Sequence, residues 1–123
     1  MLVANYFSNK DIRLAEVEIP AISENEVLVE VIASGICGSD LMQWYKKDNL
    51  PKVLGHETSG KIIKVGSKVL DHKIGDRVVV SHHVPCMECR FCKRKLETMC
   101  KTLKSTDYDP GGFSEYLRMP ELN

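Results

Sequence analysis

Five cysteines and four histidines carry most of the chemistry this sequence can offer. Four of the cysteines fall in one short run, Cys86-x2-Cys89-x2-Cys92-x7-Cys100. Thiolates crowded this closely repel one another unless a cation neutralises them, so the run predicts a metal site. Four thiolates complete the shell of a tetrahedral zinc and leave no position for water or substrate, which makes the site a structural one. A Cys-ligated iron–sulfur cluster is the competing occupant, although such clusters commonly space their last cysteine differently. Four unliganded thiols in a core is the bland alternative. His82 and His83 stand nearby, but with four sulfurs already available they are read as strand-end residues without a metal role. A second constellation joins Cys37-Gly38-Ser39-Asp40 to Gly55-His56-Glu57-x-x-Gly60-x5-Gly66. Each half alone is weak, since a lone cysteine is usually core and a lone His-Glu pair is usually a solvated turn.

The elements that must position these groups are short strands. Glu26 to Ile32 is β-branched and apolar with interspersed Glu, and reads as a strand. Similar segments recur at 2–7, 12–18, 61–65, 77–81 and 113–119, each bounded by turn residues such as Gly66-Ser67, Gly75-Asp76 and Pro110-Gly111-Gly112. Only 39–47 looks helical, with Ser39 or Asp40 as N-cap. Many short strands with almost no helix predict a small, mainly β barrel. Residues 84–104 interrupt that pattern and read as a loop lobe carrying the four cysteines, with six basic and two acidic side chains. Basic residues around a tetrathiolate zinc are electrostatically sensible, because that ion and its ligands carry a net negative charge. Nucleic acid is disfavoured as a partner, since the lobe offers one aromatic, Phe91, where stacking on single strands usually wants several.

A chain of 123 residues, 43% of them hydrophobic, has room for one core. Seventeen basic residues balance 17 acidic ones, which argues against bulk electrostatic binding of nucleic acid or an anionic membrane. No apolar run approaches the ~20 residues that span a bilayer, and Met1 to Lys10 has neither a basic leader nor a long apolar stretch. An odd cysteine count without a leader speaks against a secreted disulfide framework and for a reducing, cytoplasmic setting.

Taken together and in this order, the two cysteine-bearing clusters resemble the catalytic domain of the zinc-dependent medium-chain alcohol dehydrogenases. The polyol branch, typified by sorbitol and iditol dehydrogenases with threonine dehydrogenase near it, is the most similar. Lys73-Ile74-Gly75-Asp76-Arg77-Val78 and Gly111-Gly112-Phe113-Ser114-Glu115-Tyr116 resemble that family too, so the motifs span Val27 to Tyr116. The resemblance implies a GroES-like, partly open β-barrel across 1–123, with a structural-zinc lobe at 84–104. It implies two zinc ions: one held by Cys37, His56 and Glu57 with an open position, and one held by Cys86, Cys89, Cys92 and Cys100. Glu57 is the softer ligand, because elsewhere in the family that residue stands just outside the coordination sphere. Asp40 matches the residue that accepts the ligand histidine's other N–H, and Ser39 matches the hydroxyl that takes the alcohol proton. The implied reaction passes hydride from an alcohol or polyol to NAD or NADP.

One departure stands out. Where the family commonly continues the proton relay with a histidine two residues after the aspartate, this chain has Met42. Trp44 and Tyr45 line the substrate cleft by analogy, or simply pack a short helix on the barrel. No Gly-x-Gly-x-x-Gly between strand and helix is present. The resemblance therefore implies a truncated piece or one half of a split enzyme, lacking its Rossmann domain. Such a piece is expected to bind zinc but not to turn over alcohol alone, and to self-associate if the uncovered face is apolar. A zinc-stabilised interaction module without catalysis is the alternative.

Overall fold

The computed structural model describes residues 1–45, 50–105 and 107–123, apart from the side chain of Tyr45. Strand β1 (Leu2–Ser8) pairs antiparallel with β2 (Asp11–Glu16) on one side and with the two-residue β4 (Lys52–Val53) on the other. The second sheet has the order β6-β5-β3-β7, built from β3 (Glu26–Gly35), β5 (Glu57–Val65), β6 (Arg77–Val80) and β7 (Tyr116–Pro120), again all antiparallel. Residues 113–115 tie the sheets together at one corner. The Ala4 N–H donates to the Phe113 carbonyl (2.9 Å), the Glu115 N–H to the Leu2 carbonyl (3.1 Å) and the Val31 N–H to the Glu115 carbonyl (2.9 Å). The two sheets do not close on each other, and the result is the mainly β, partly open GroES-like barrel that the motifs predict.

Period-two alternation fixes which faces meet. Thr58, Gly60 and Ile62 of β5 and Leu117 and Met119 of β7 point inward, where the side chains of Ile62, Leu117 and Met119 pack with Val27 and Val29 of β3 and Val80 of β6. Val29 and Leu117 are fully buried, and each such side chain contributes about 1.5–3 kcal/mol of transfer free energy. Two bulges, between Leu28 and Val29 and between Val31 and Ala33, let β3 bend along β5 without losing the inward set.

The observed elements differ from the predicted ones where polar or very short segments are involved. Strands β3 and β5 reach Gly35 and start at Glu57, beyond the expected 26–32 and 61–65, because they continue as a pair through polar Ser34, Thr58 and Ser59. Strand β7 starts later than 113 because residues 113–115 divide their backbone groups between both sheets. The expected helix over 39–47 is instead two 3-10 turns, Gly38–Leu41 and Gln43–Tyr45, and its last two residues lie outside the described ones. Among the described residues no helix is long and apolar enough to cross a membrane.

Candidate metal centre and cleft

The last rung of the β3–β5 pair joins Gly35 to Glu57. Cys37 and His56 therefore sit just past the same rung, from opposite strands. Glycine at 35 leaves room for the Glu57 carboxylate, because a Cβ there would lie 2.6 Å from Glu57 Oε2. Cys37 is the N-cap of the first 3-10 turn, and its N–H donates to Asp40 Oδ2 at 2.9 Å while the Asp40 N–H donates to the Cys37 carbonyl at 2.9 Å. These reciprocal bonds lock the loop that presents the thiol. His56 is delivered by Gly55, whose φ of +92° is a conformation that side chains other than glycine's rarely accept. The Gly55 carbonyl accepts from the Gly112 N–H (2.8 Å) and from the Tyr108 hydroxyl (3.1 Å), which pins the turn.

The ligand atoms of Cys37, His56 and Glu57 all lie within 4.8 Å of one another. On one tetrahedral zinc with bonds of about 2.0–2.3 Å the donors stand about 3.3–3.8 Å apart, so the three must draw together by up to about 1.5 Å to share an ion. His56 Nε2 faces Ser39 Oγ at 3.5 Å, and His56 Nδ1 faces Asp40 Oδ1 at 3.8 Å. Asp40 is buried and stands on the Nδ1 side of the ring, which leaves Nε2 facing Ser39.

The lobe forms a second cluster. Cys86, Cys89, Cys92 and Cys100 also gather within 4.8 Å, with sulfur separations of 3.6 Å (Cys86–Cys100), 3.5 Å (Cys89–Cys92) and 4.0 Å (Cys86–Cys92). The edge of a tetrahedron with Zn–S bonds of about 2.3 Å is about 3.8 Å, so the set fits a single ion. A multi-iron core would hold the thiolates farther apart. Their protonation points the same way. N–H groups of Cys86 and Leu103 draw Cys100 down to about 6, toward thiolate, whereas burial and the neighbouring Cys89 push Cys92 up to about 12. A bound cation favours the thiolate form of such a set.

His56 also lines a cleft of about 800 Å³ whose walls include Ser39, Asp40, Met42, Trp44 and Tyr108. Trp44 is 72% exposed and lines this cleft; the Tyr45 side chain lies outside the described residues. Two neighbours escaped the sequence reading. The His82 ring lies 4.6 Å from that of His56 and 4.0 Å from that of His83, and Tyr108 meets His82 edge-on at 6.3 Å. Burial, then His83 and His56, lower the His82 pKa. Burial, and after it the Asp40 charge, push Tyr108 up to about 12. Only the position of His82 just past β6, beside the start of β5, could have signalled this contact.

Residues 23–123 match the alcohol dehydrogenase GroES-like domain. The chain belongs to that family. It is 37% identical over 110 residues to an L-galactonate-5-dehydrogenase of Escherichia coli (86% of this chain, 32% of the relative). It is 36% identical over 128 residues to a sorbitol dehydrogenase of Bacillus subtilis (97% and 36%). The crystal structure of galactitol-1-phosphate dehydrogenase from Escherichia coli superposes with a TM-score of 0.83 at 35% identity, covering 98% of this chain and 36% of that one. The chain thus spans about a third of the length of these relatives.

Proposed function

We propose that the chain is the zinc-binding, substrate-facing part of an NAD(P)-dependent alcohol or polyol dehydrogenase. In this reading Cys37, His56 and Glu57 hold a catalytic zinc, and Cys86, Cys89, Cys92 and Cys100 hold a structural one. The observation that carries it is the convergence of a thiol, an imidazole and a carboxylate within 4.8 Å, with the imidazole on the wall of a roomy cleft. Three protein donors leave one corner of a tetrahedron open, which is the condition for chemistry rather than scaffolding. Zinc bound there supplies Lewis acidity that makes a hydroxyl a far stronger acid.

The chain's own residues then divide the work. Ser39, on the cleft wall beside His56, takes the hydroxyl proton of the entering alcohol. Asp40 fixes the tautomer of His56 and the position of Cys37. Met42 also lines the cleft but carries no proton, so the proton leaves Ser39 through water or a cofactor hydroxyl. The hydride acceptor requires a dinucleotide-binding unit, in cis or in trans, because this sequence has no glycine-rich fingerprint for one. The names of the relatives support a polyol or sugar-derived alcohol as substrate, and a reducing cytoplasm suits five free thiols.

Metal stoichiometry tests the reading. Reconstituted protein should carry two zinc ions per chain by mass spectrometry, falling to one in Cys37→Ser with the fold retained. A single zinc that Cys37→Ser leaves untouched would favour the interaction module and sink the dehydrogenase assignment. The 123 residues alone should show no NAD-dependent oxidation of a hexitol.

A further inference from the structure

Among the described residues the formally charged side chains lining the cleft are Asp40, Lys52 and Lys104. Asp40 is only 6% exposed, and its carboxylate is taken up by the Cys37 N–H and the His56 ring. Neither lysine is within ion-pair distance of a carboxylate among the described residues, although the chain has as many acidic as basic side chains. The two cations arrive from different parts of the fold. Lys52 belongs to β4 of the three-stranded sheet, and Lys104 ends the short helix α1 (Lys101–Lys104) that follows directly from Cys100. Two cations facing one cleft from opposite elements repel each other, and an anion placed between them relieves that repulsion. In a partly enclosed cleft the interaction is screened less than on an open surface.

We infer that the alcohol oxidised at this site carries an anionic group, a phosphate or a carboxylate, and that Lys52 and Lys104 receive it. The inference rests on the dehydrogenase reading and names its substrate class. A divalent ion neutralised by Cys37 and Glu57 would add no net charge, so among the described residues the cleft lining sets two cations against the single carboxylate of Asp40. The lobe gains a second task. By ordering Cys100 it also holds α1, and so sets where Lys104 enters the cleft.

The test measures binding to the zinc-loaded chain by calorimetry. The probes are a hexitol, the corresponding hexonate, the hexitol monophosphate and inorganic phosphate. The anionic hexitols should bind at least about tenfold more tightly than the neutral one at low salt, with the gap closing at about 0.5 M salt. Lys52→Met and Lys104→Met should each reduce the gap severalfold while leaving zinc content and neutral-hexitol affinity unchanged. Equal affinity for charged and neutral probes overturns the inference, as does a gap that survives both substitutions. It is also overturned if no hexitol binds, or if inorganic phosphate alone matches the hexitol monophosphate, because the charge would then be read without the alcohol. NADH and NADPH form the last arm: if their binding falls in the lysine variants and the hexitols' does not, the cations serve the cofactor and the inference fails. None of these outcomes alters the zinc count, so the test of the dehydrogenase reading stays separate.

Discussion

Asp40→Asn should weaken zinc at the Cys37 site without touching the lobe. Asp40 has two tasks, one per oxygen: Oδ2 accepts the Cys37 N–H at 2.9 Å, and Oδ1 faces His56 Nδ1 at 3.8 Å. An asparagine in the same pose can keep only one of them. If its oxygen stays on the Cys37 N–H, its NH2 confronts Nδ1, and two donors then face each other unless the imidazole moves its proton to Nε2. That tautomer points a hydrogen where the metal should be. Loss of the partner behind a ligand histidine typically costs 10–100-fold in metal affinity, or about 1.4–2.8 kcal/mol. The assay is competition against a chromophoric chelator, with the lobe zinc as internal reference, alongside histidine-selective NMR that reports which ring nitrogen is protonated. The expected result is a 10–100-fold weaker first site, an unchanged second site and a population of His56 protonated at Nε2. Unchanged affinity with Nδ1 still protonated would refute the tautomer argument. Equal loss at both sites would make Asp40 a folding residue instead.

Three further outcomes follow from the geometry. Gly35→Ala puts a Cβ 2.6 Å from Glu57 Oε2, so the carboxylate must turn away; zinc affinity at the Cys37 site should fall, and Glu57→Gln in the same background should add little. Leu117→Ala removes a fully buried side chain of β7 from the core cluster and should cost about 2–5 kcal/mol in denaturant unfolding of the zinc-loaded protein. Tyr108, raised to about 12 by burial and then by Asp40, stays protonated in the folded state at pH values where an unfolded tyrosine ionises. The unfolded chain therefore releases more protons above about 10, so this residue's contribution to stability is present below that value and lost as pH rises toward about 12. Ultraviolet titration should show one late phenol, and Asp40→Asn should move it down modestly.

How much was legible in the sequence depended on how local each feature is. The lobe ligands lie within fifteen residues of one another, and chain connectivity alone almost brings them together, so Cys86, Cys89, Cys92 and Cys100 could be read as a set. The strands made of β-branched and apolar residues between turn residues, such as 26–32 and 77–81, were equally readable. Strand β4 was not, because two residues, Lys52 and Val53, have no period to detect. The 3-10 turn at Gly38–Leu41 misled for a different reason. Ser39 and Asp40 look like helix N-caps, but the cap is Cys37, and the Asp40 side chain turns back to its N–H. The contacts of His82 with His56 and of Tyr108 with the Gly55 carbonyl join residues 26 and 53 positions apart, which no local pattern encodes.

The Cys37 site, by contrast with the lobe, is a property of register. Cys37 and His56 are 19 residues apart and meet because β3 and β5 pair so that Gly35 faces Glu57. A one-residue slip would carry Ile62 off the core face, away from Val29 and Leu117, and would also separate the thiol from the imidazole. The hydrophobic core and the metal donors are therefore selected by the same pairing. The two register shifts matter for this reason: Ile63 is the extra residue on β5 and Ile32 the extra one on β3, so they compensate, and Gly35 meets Glu57 in the register in which Val27 meets Val65. Burial energy spread over the sheet thus fixes the position of three candidate donors at its end, and the cluster of Cys37, His56 and Glu57 is assembled by the fold itself. The lobe, with Cys92 and Cys100 buried and little apolar packing among its described residues, has no such support, and chelation should unfold it while the β-sheets stay folded.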